Sequence, residues 1–186
     1  MSTLNDTTTI TPSTDTITQF GINITGDHAY IHRGKAFNAS GQVSLAAAAV
    51  YSLTLTTPAA SSAYVHLRPA FFSSSASYAK MSILEAPVMT AGTAATPTNR
   101  NRNSATSATS VYTYNATYTS GGTLVDLYTV GTGGNPTARA GGGVGADAEL
   151  VLKPATTYLF LIDNPTGGAT SNIAWSLFWY EESRGA

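Results

Sequence analysis

Three histidines, ten acidic residues and two closely spaced arginines are the side chains in this sequence best equipped for chemistry. His28 and His32 would share one face of an extended strand, and His66 could join them from another, the kind of set a zinc ion uses. Asp27 adjoins His28 but points to the opposite face of such a strand, and no spacing supplies a third ligand, so no metal is expected. Asp126, Asp147, Glu149 and Asp163 would cleave a glycoside only if two of them converged across the scissile bond. Nothing in their spacing brings that about, and solvated loop or strand-end positions are expected for them. Gly141-Gly142-Gly143-Val144-Gly145-Ala146 formally spells G-x-G-x-x-A, yet Asp147 to Leu152 alternates like a strand where a dinucleotide site needs a helix, so a loop is expected. No G-x-S-x-G elbow occurs, and with no cysteine there is neither a thiolate nucleophile nor a Cys-based metal site. No cofactor and no enzymatic activity are expected.

One polar stretch is left, Thr98-Asn99-Arg100-Asn101-Arg102-Asn103-Ser104, in a chain with only nine Lys and Arg. If extended, it projects Arg100 and Arg102 to one side and Asn99, Asn101 and Asn103 to the other, two guanidinium forks against a row of amides. Arg favours protein interfaces over Lys because its planar fork meets carboxylates and carbonyls through several donors. Two readings stand together, a partner-binding row over 99–103 and a polar surface loop after Pro97.

Composition narrows the partners. The formal charge of −1 lacks the basic excess that tracks a phosphate backbone or an anionic membrane, so neither nucleic acid nor membrane is expected. The start, MSTLNDTTTITPSTDTIT, carries no secretory pattern, and no segment approaches the ~18 apolar residues of a membrane span; synthesis in a cytoplasm is expected. Charged residues make up 10% of the chain, against about 25% in an ordinary domain, which suits a surface that meets other protein or forms a virion exterior. Four N-x-S/T matches, at Asn5, Asn23, Asn38 and Asn115, are what a Ser/Thr-rich chain produces by chance.

These residues must be positioned by strands. Residues 1–15 read as a flexible arm and 16–186 as one β-sandwich domain of a size that needs no staple. Phe20, Ile22 and Ile24 alternate with polar or small residues, and Val43, Leu45, Ala47, Ala49, Tyr51, Leu53 and Leu55 predict one long strand through the alanines at 46–49. Further strands are predicted at 63–68, 78–85, 109–118, 123–130, 147–153, 157–163 and 172–181, and no helix. Such a series gives an all-β, antiparallel two-sheet sandwich of Greek-key or jelly-roll type with an extended N-terminal arm. Leu152, Pro154, Thr156 and Tyr158 repeat the L-x-P-x-T-x-Y spacing of a tyrosine corner, in which a phenol bonds to upstream backbone.

Several strings together, IHRGKAF (31–37), HLRP (66–69), TPTNRNRNS (96–104), LKPATTYLFLIDN (152–164) and SLFWYEE (176–182), resemble tailed-bacteriophage head decoration or cement proteins. The resemblance implies a β-sandwich homotrimer that sits on the capsid exterior, binds the major capsid protein and stabilises the shell. Trimerisation triples each weak contact and gains avidity without new chemistry. The alternative is a carbohydrate- or receptor-binding module of a phage tail or fibre, with Tyr112, Tyr114 and Tyr118 as its platform; the competing placement puts those rings inside the sandwich or at a subunit contact.

Overall fold

The structure, a computed structural model, describes residues 13–14, 21–22, 26–59, 63–73, 78–131, 140–143, 149–164 and 170–183. The chain opens with β1 (Ser13–Thr14), β2 (Gly21–Ile22) and α1 (Gly26–His32), followed by β3 (Ala36–Leu45), β4 (Val50–Thr56), β5 (Ala63–Ser73) and β6 (Tyr78–Glu85). A connection of short strands comes next: β7 (Val88–Met89), β8 (Thr93–Ala95), β9 (Thr98–Asn99), β10 (Val111–Tyr114) and β11 (Tyr118–Ser120). The return half holds β12 (Thr123–Gly131), β13 (Ala140–Gly143), β14 (Leu150–Leu152), β15 (Thr157–Asp163) and β16 (Ser171–Ser183).

Pairing is nested from both ends. β3 pairs with β16, β4 with β15, β5 with both β13 and β14, and β6 with β12, all antiparallel. A long hairpin rolled so that successive pairs fall in opposite layers is a jelly roll. Lateral bonds of β16 to β5 and of β15 to β6 complete the layers. The first runs β12-β6-β15-β4-β10-β8, and the second runs β13-β5-β16-β3-β9 with β14 also beside β5. The connection between β6 and β12 thus returns to the far edge and widens both layers there. Pro69, which has no N–H to donate, falls where the lane beside β5 changes from β14 to β13.

Period-two alternation builds the core. Leu53, Leu55, Met81, Ile83, Phe160 and Ile162 of the first layer meet Phe37, Leu67, Phe71, Leu177 and Trp179 of the second, each at 0% exposure. Each such side chain contributes roughly 1.5–3 kcal/mol by leaving water.

Three expectations need correction. The single strand over 43–55 is two strands in different layers, joined by a corner at the alanines. Odd residues face inward on both sides of the corner, so alternation alone cannot reveal it. Ala48 takes a left-handed φ of 59°, and Asn164 holds the turn: its O accepts from Ala48 N at 2.8 Å and its Nδ2 donates to the carbonyls of Leu45 and Ala46 at 3.1 Å. The strand over 109–118 is broken at Asn115, whose φ is 57°. A helix is present after all, α1, closed by Gly34 at φ 68°, whose N–H bonds Ile31 O, while Lys35 N bonds Tyr30 O. His32 and Arg33 near its end and the glycine after it are the stop signal that strand periodicity obscured. Of the arm over 1–15, only Ser13–Thr14 is described, paired with Gly21–Ile22; the rest lies outside the described residues.

Candidate functional site

The Asn-Arg stretch is a turn, not an extended row. β9 adds two residues to the edge of β3, and Arg100 N bonds Ala36 O at 2.9 Å before the chain bends away. Asn99 is buried, and its Nδ2 donates to Gly34 O at 2.9 Å and Thr106 O at 2.8 Å while its Oδ1 accepts Asn101 N at 2.8 Å. Asn101 repeats the device, donating to His32 O at 3.0 Å and accepting Asn103 N at 3.1 Å. Amides that bond backbone two residues on favour turns over strands, which is why the alternation fails here. Asn99 and Asn101 therefore pin the turn to the end of α1, and Arg100, Arg102 and Asn103 are left exposed.

Arg100 leads onto the outer face of the second layer. Its guanidinium carbon stands 4.8 Å from the centre of the Phe178 ring, a cation–π contact. Beyond it, Tyr180 stacks with His66 on one side and with Tyr30 of α1 on the other, each at 4.5 Å between centroids. Glu149 gathers this end together, receiving Tyr180 Oη at 2.6 Å, His66 Nδ1 at 2.8 Å and Arg68 Nε and Nη2 at 2.7 Å. Burial opposes the Glu149 charge, but the bonds from Tyr180, His66 and Arg68 hold its carboxyl below the ordinary range. Burial and the neighbouring Glu182 push the Tyr30 phenol up to about 12.

Farther along the same face the side chains become neutral. Register places Ser40, Ser176 and Ala70 in one row, then Gln42, Ala174 and Phe72, then Ser44 and Asn172, without a charged residue among them. Phe72 is 42% exposed there.

The other chemical candidates do not converge. Asp126 bonds Tyr128 Oη at 2.5 Å on β12, Asp163 pairs with Lys80 at 3.7 Å on β15, and Glu149 lies on the opposite layer. Asp147 is outside the described residues. His28 and His32 stack at 4.7 Å on α1 and not on a strand, while His66 sits between Glu149 and Glu182 on the second layer. Among the described residues no group of three or more His, Cys, Asp or Glu is arranged to hold a metal. The loop expected at the glycines is in part a strand, since Gly141, Gly142 and Gly143 pair with Phe72, Phe71 and Ala70.

Tyr158 Oη accepts Lys153 N at 2.8 Å and donates to Glu85 Oε2 at 2.8 Å, and Glu85 pairs with Lys153 Nζ at 2.6 Å. Leu152 is buried beside it, while Thr156 Oγ1 bonds Pro154 O at 2.9 Å. Burial first, then the Glu85 bond, pushes the Tyr158 phenol up to about 12 despite the opposing Lys153 N–H. Tyr112, Tyr114 and Tyr118 form no common platform: the first two face inward on β10, and Tyr118, beyond the Asn115 break, bonds Gly121 O at 3.0 Å.

One further charged group, Glu181, is 2% exposed and lies on the inward register of β16 after Ile173, Trp175, Leu177 and Trp179. Its carboxylate accepts Thr109 N at 2.9 Å, Thr109 Oγ1 at 2.6 Å, Ser110 N at 2.9 Å and Ser110 Oγ at 2.8 Å. An acid in an otherwise apolar register was the legible signal for it. No helix among the described residues is long and apolar enough to cross a membrane. No protein-family model, no curated protein and no solved structure matches this chain.

Proposed function

We propose that this chain is a structural virion protein that binds the outside of a phage capsid as a homotrimer and cements the head shell. The observation that carries the reading is the outer face of the second layer, an uncharged field of Ser, Ala, Gln and Asn around the exposed Phe72, bordered by Phe178 and the exposed Arg100. Desolvating neutral side chains on rigid strands costs less than desolvating charges, and the guanidinium group at the rim supplies orientation and partner choice. The motif resemblance supplies the kind of partner, the major capsid protein, and threefold repetition strengthens such a contact through avidity.

Purified protein added to decoration-free phage heads is expected to co-sediment with them and to raise the temperature at which they release their genome, and light scattering is expected to give a trimer. Replacing Arg100 and Arg102 together with alanine is expected to weaken co-sedimentation about tenfold, a loss of about 1.4 kcal/mol. A monomer at high concentration that ignores intact heads would overturn the proposal.

A further inference from the structure

At the edge where β10 and β8 extend the first layer, the two layers leave a cleft of about 380 Å³ between them. Tyr51, Tyr112, Tyr114 and Trp175 line it together with the backbone of the β3 edge at residues 38–42. Gly41 lets the indole lie against the β3 backbone at this edge, because a Cβ there would lie 2.7 Å from Trp175 Cζ2 and displace the ring. The volume falls at the low end of the roughly 300–1,000 Å³ of small-molecule sites, enough for one or two sugar rings.

The lining has a specific chemistry. No charged side chain contributes to it, so an ionic ligand would lose hydration without gaining a counter-charge. The phenol hydroxyls of Tyr51, Tyr112 and Tyr114 make no hydrogen bond to another described residue, and the buried Trp175 Nε1 has no acceptor among them. Burial first, and then neighbouring phenols, raise the Tyr51 and Tyr112 pKa values, so these hydroxyls remain protonated at neutral pH. Three phenol hydroxyls that converge on one cleft suit a partner that carries several donors and acceptors. An apolar side chain inserted from another protein would leave these groups desolvated and unbonded. A pyranose ring offers C–H faces to the aromatic rings and hydroxyls to the phenols and to the backbone groups of the β3 edge.

We propose that this interlayer cleft binds a neutral saccharide, resting a pyranose unit against Tyr112 and Trp175 with hydroxyl contacts to Tyr51, Tyr114 and the backbone edge of β3. The site is independent of the shell-cementing reading, and either can fail alone.

The test titrates the full chain with methyl hexopyranosides and N-acetylhexosaminides while following tryptophan emission, with glucuronate and glucosamine as charged controls. Trp175 borders the cleft and Trp179 is fully buried in the core, so Trp175→Phe is expected to abolish the response. At least one neutral sugar is expected to change the emission at millimolar concentration, and the charged sugars are expected to bind about tenfold more weakly. The Tyr51→Phe/Tyr114→Phe double variant is expected to lose about tenfold in affinity while keeping its melting midpoint. Silence across the neutral panel, binding that survives the double variant, or an emission change produced only by peptides would overturn the inference.

Discussion

Glu181 and the tyrosine cleft both lie between the two layers and both border β16, yet their hydrogen bonding is opposite. The Glu181 carboxylate collects N–H and O–H groups from Thr109 and Ser110, whereas the phenols of Tyr51, Tyr112 and Tyr114 bond to none of the described residues. A saturated buried group locks chain to chain, and its geometry is determined by the fold. An unsaturated one adds nothing to the fold through its hydroxyl and is available to something else. Near the Glu181 end, the segment entering β10 is tied to β16; farther along β16, the missing Cβ of Gly41 admits the Trp175 indole beside the tyrosine cleft.

The largest expected effect strikes the saturated side. Glu181→Ala leaves two backbone N–H groups and two hydroxyls desolvated and is expected to lower unfolding free energy by about 3 kcal/mol in urea titration, with Glu181→Gln in between. A loss close to zero would erase the contrast, because the carboxylate would then not be holding the 109–110 bend. Tyr158→Phe is expected to cost about 1–2 kcal/mol, read as a lower melting midpoint, since the phenol serves both Lys153 N and Glu85. An unchanged midpoint would remove the corner from the account.

Acid gives a smaller, graded effect. Hydrogen bonds from Lys153 and Tyr158 hold the Glu85 carboxyl below its ordinary value of 4.5. A folded-state pKa that is depressed contributes stability above the unfolded value and loses it as pH falls through the folded one. The melting midpoint is therefore expected to drop as pH is lowered from 4.5, and to drop less steeply in Tyr158→Phe. The smallest effect sharpens the comparison most: Tyr51→Phe and Tyr114→Phe make the same chemical change as Tyr158→Phe, yet each is expected to shift stability by less than about 0.5 kcal/mol. A cost equal to that at Tyr158 would show that the cleft phenols belong to the fold.

The layered fold was legible because inward and outward residues alternate along β5 and β16, and strand periodicity is local. The corner at Ala46–Ala49 was hidden, since the inward phase is the same on both sides of it. Helix α1 was hidden for a related reason: seven residues are too few for a clear helical period, so only the closing Gly34 could signal it. In the turn at 99–103, residue types suggested contact chemistry, but the amides of Asn99 and Asn101 were already committed to Gly34, Thr106 and His32.

By itself, the sequence determined the all-β alternation, the absence of thiol chemistry and a nearly neutral, charge-poor surface, because each follows from residue type and nearest neighbours. Tertiary structure alone decided that Glu181 meets Thr109 and Ser110, that Tyr30 stacks on Tyr180, and that Trp175 packs onto Gly41. Those contacts join strands far apart in the chain, and nested pairing across two layers brings them together through a register that no local pattern encodes.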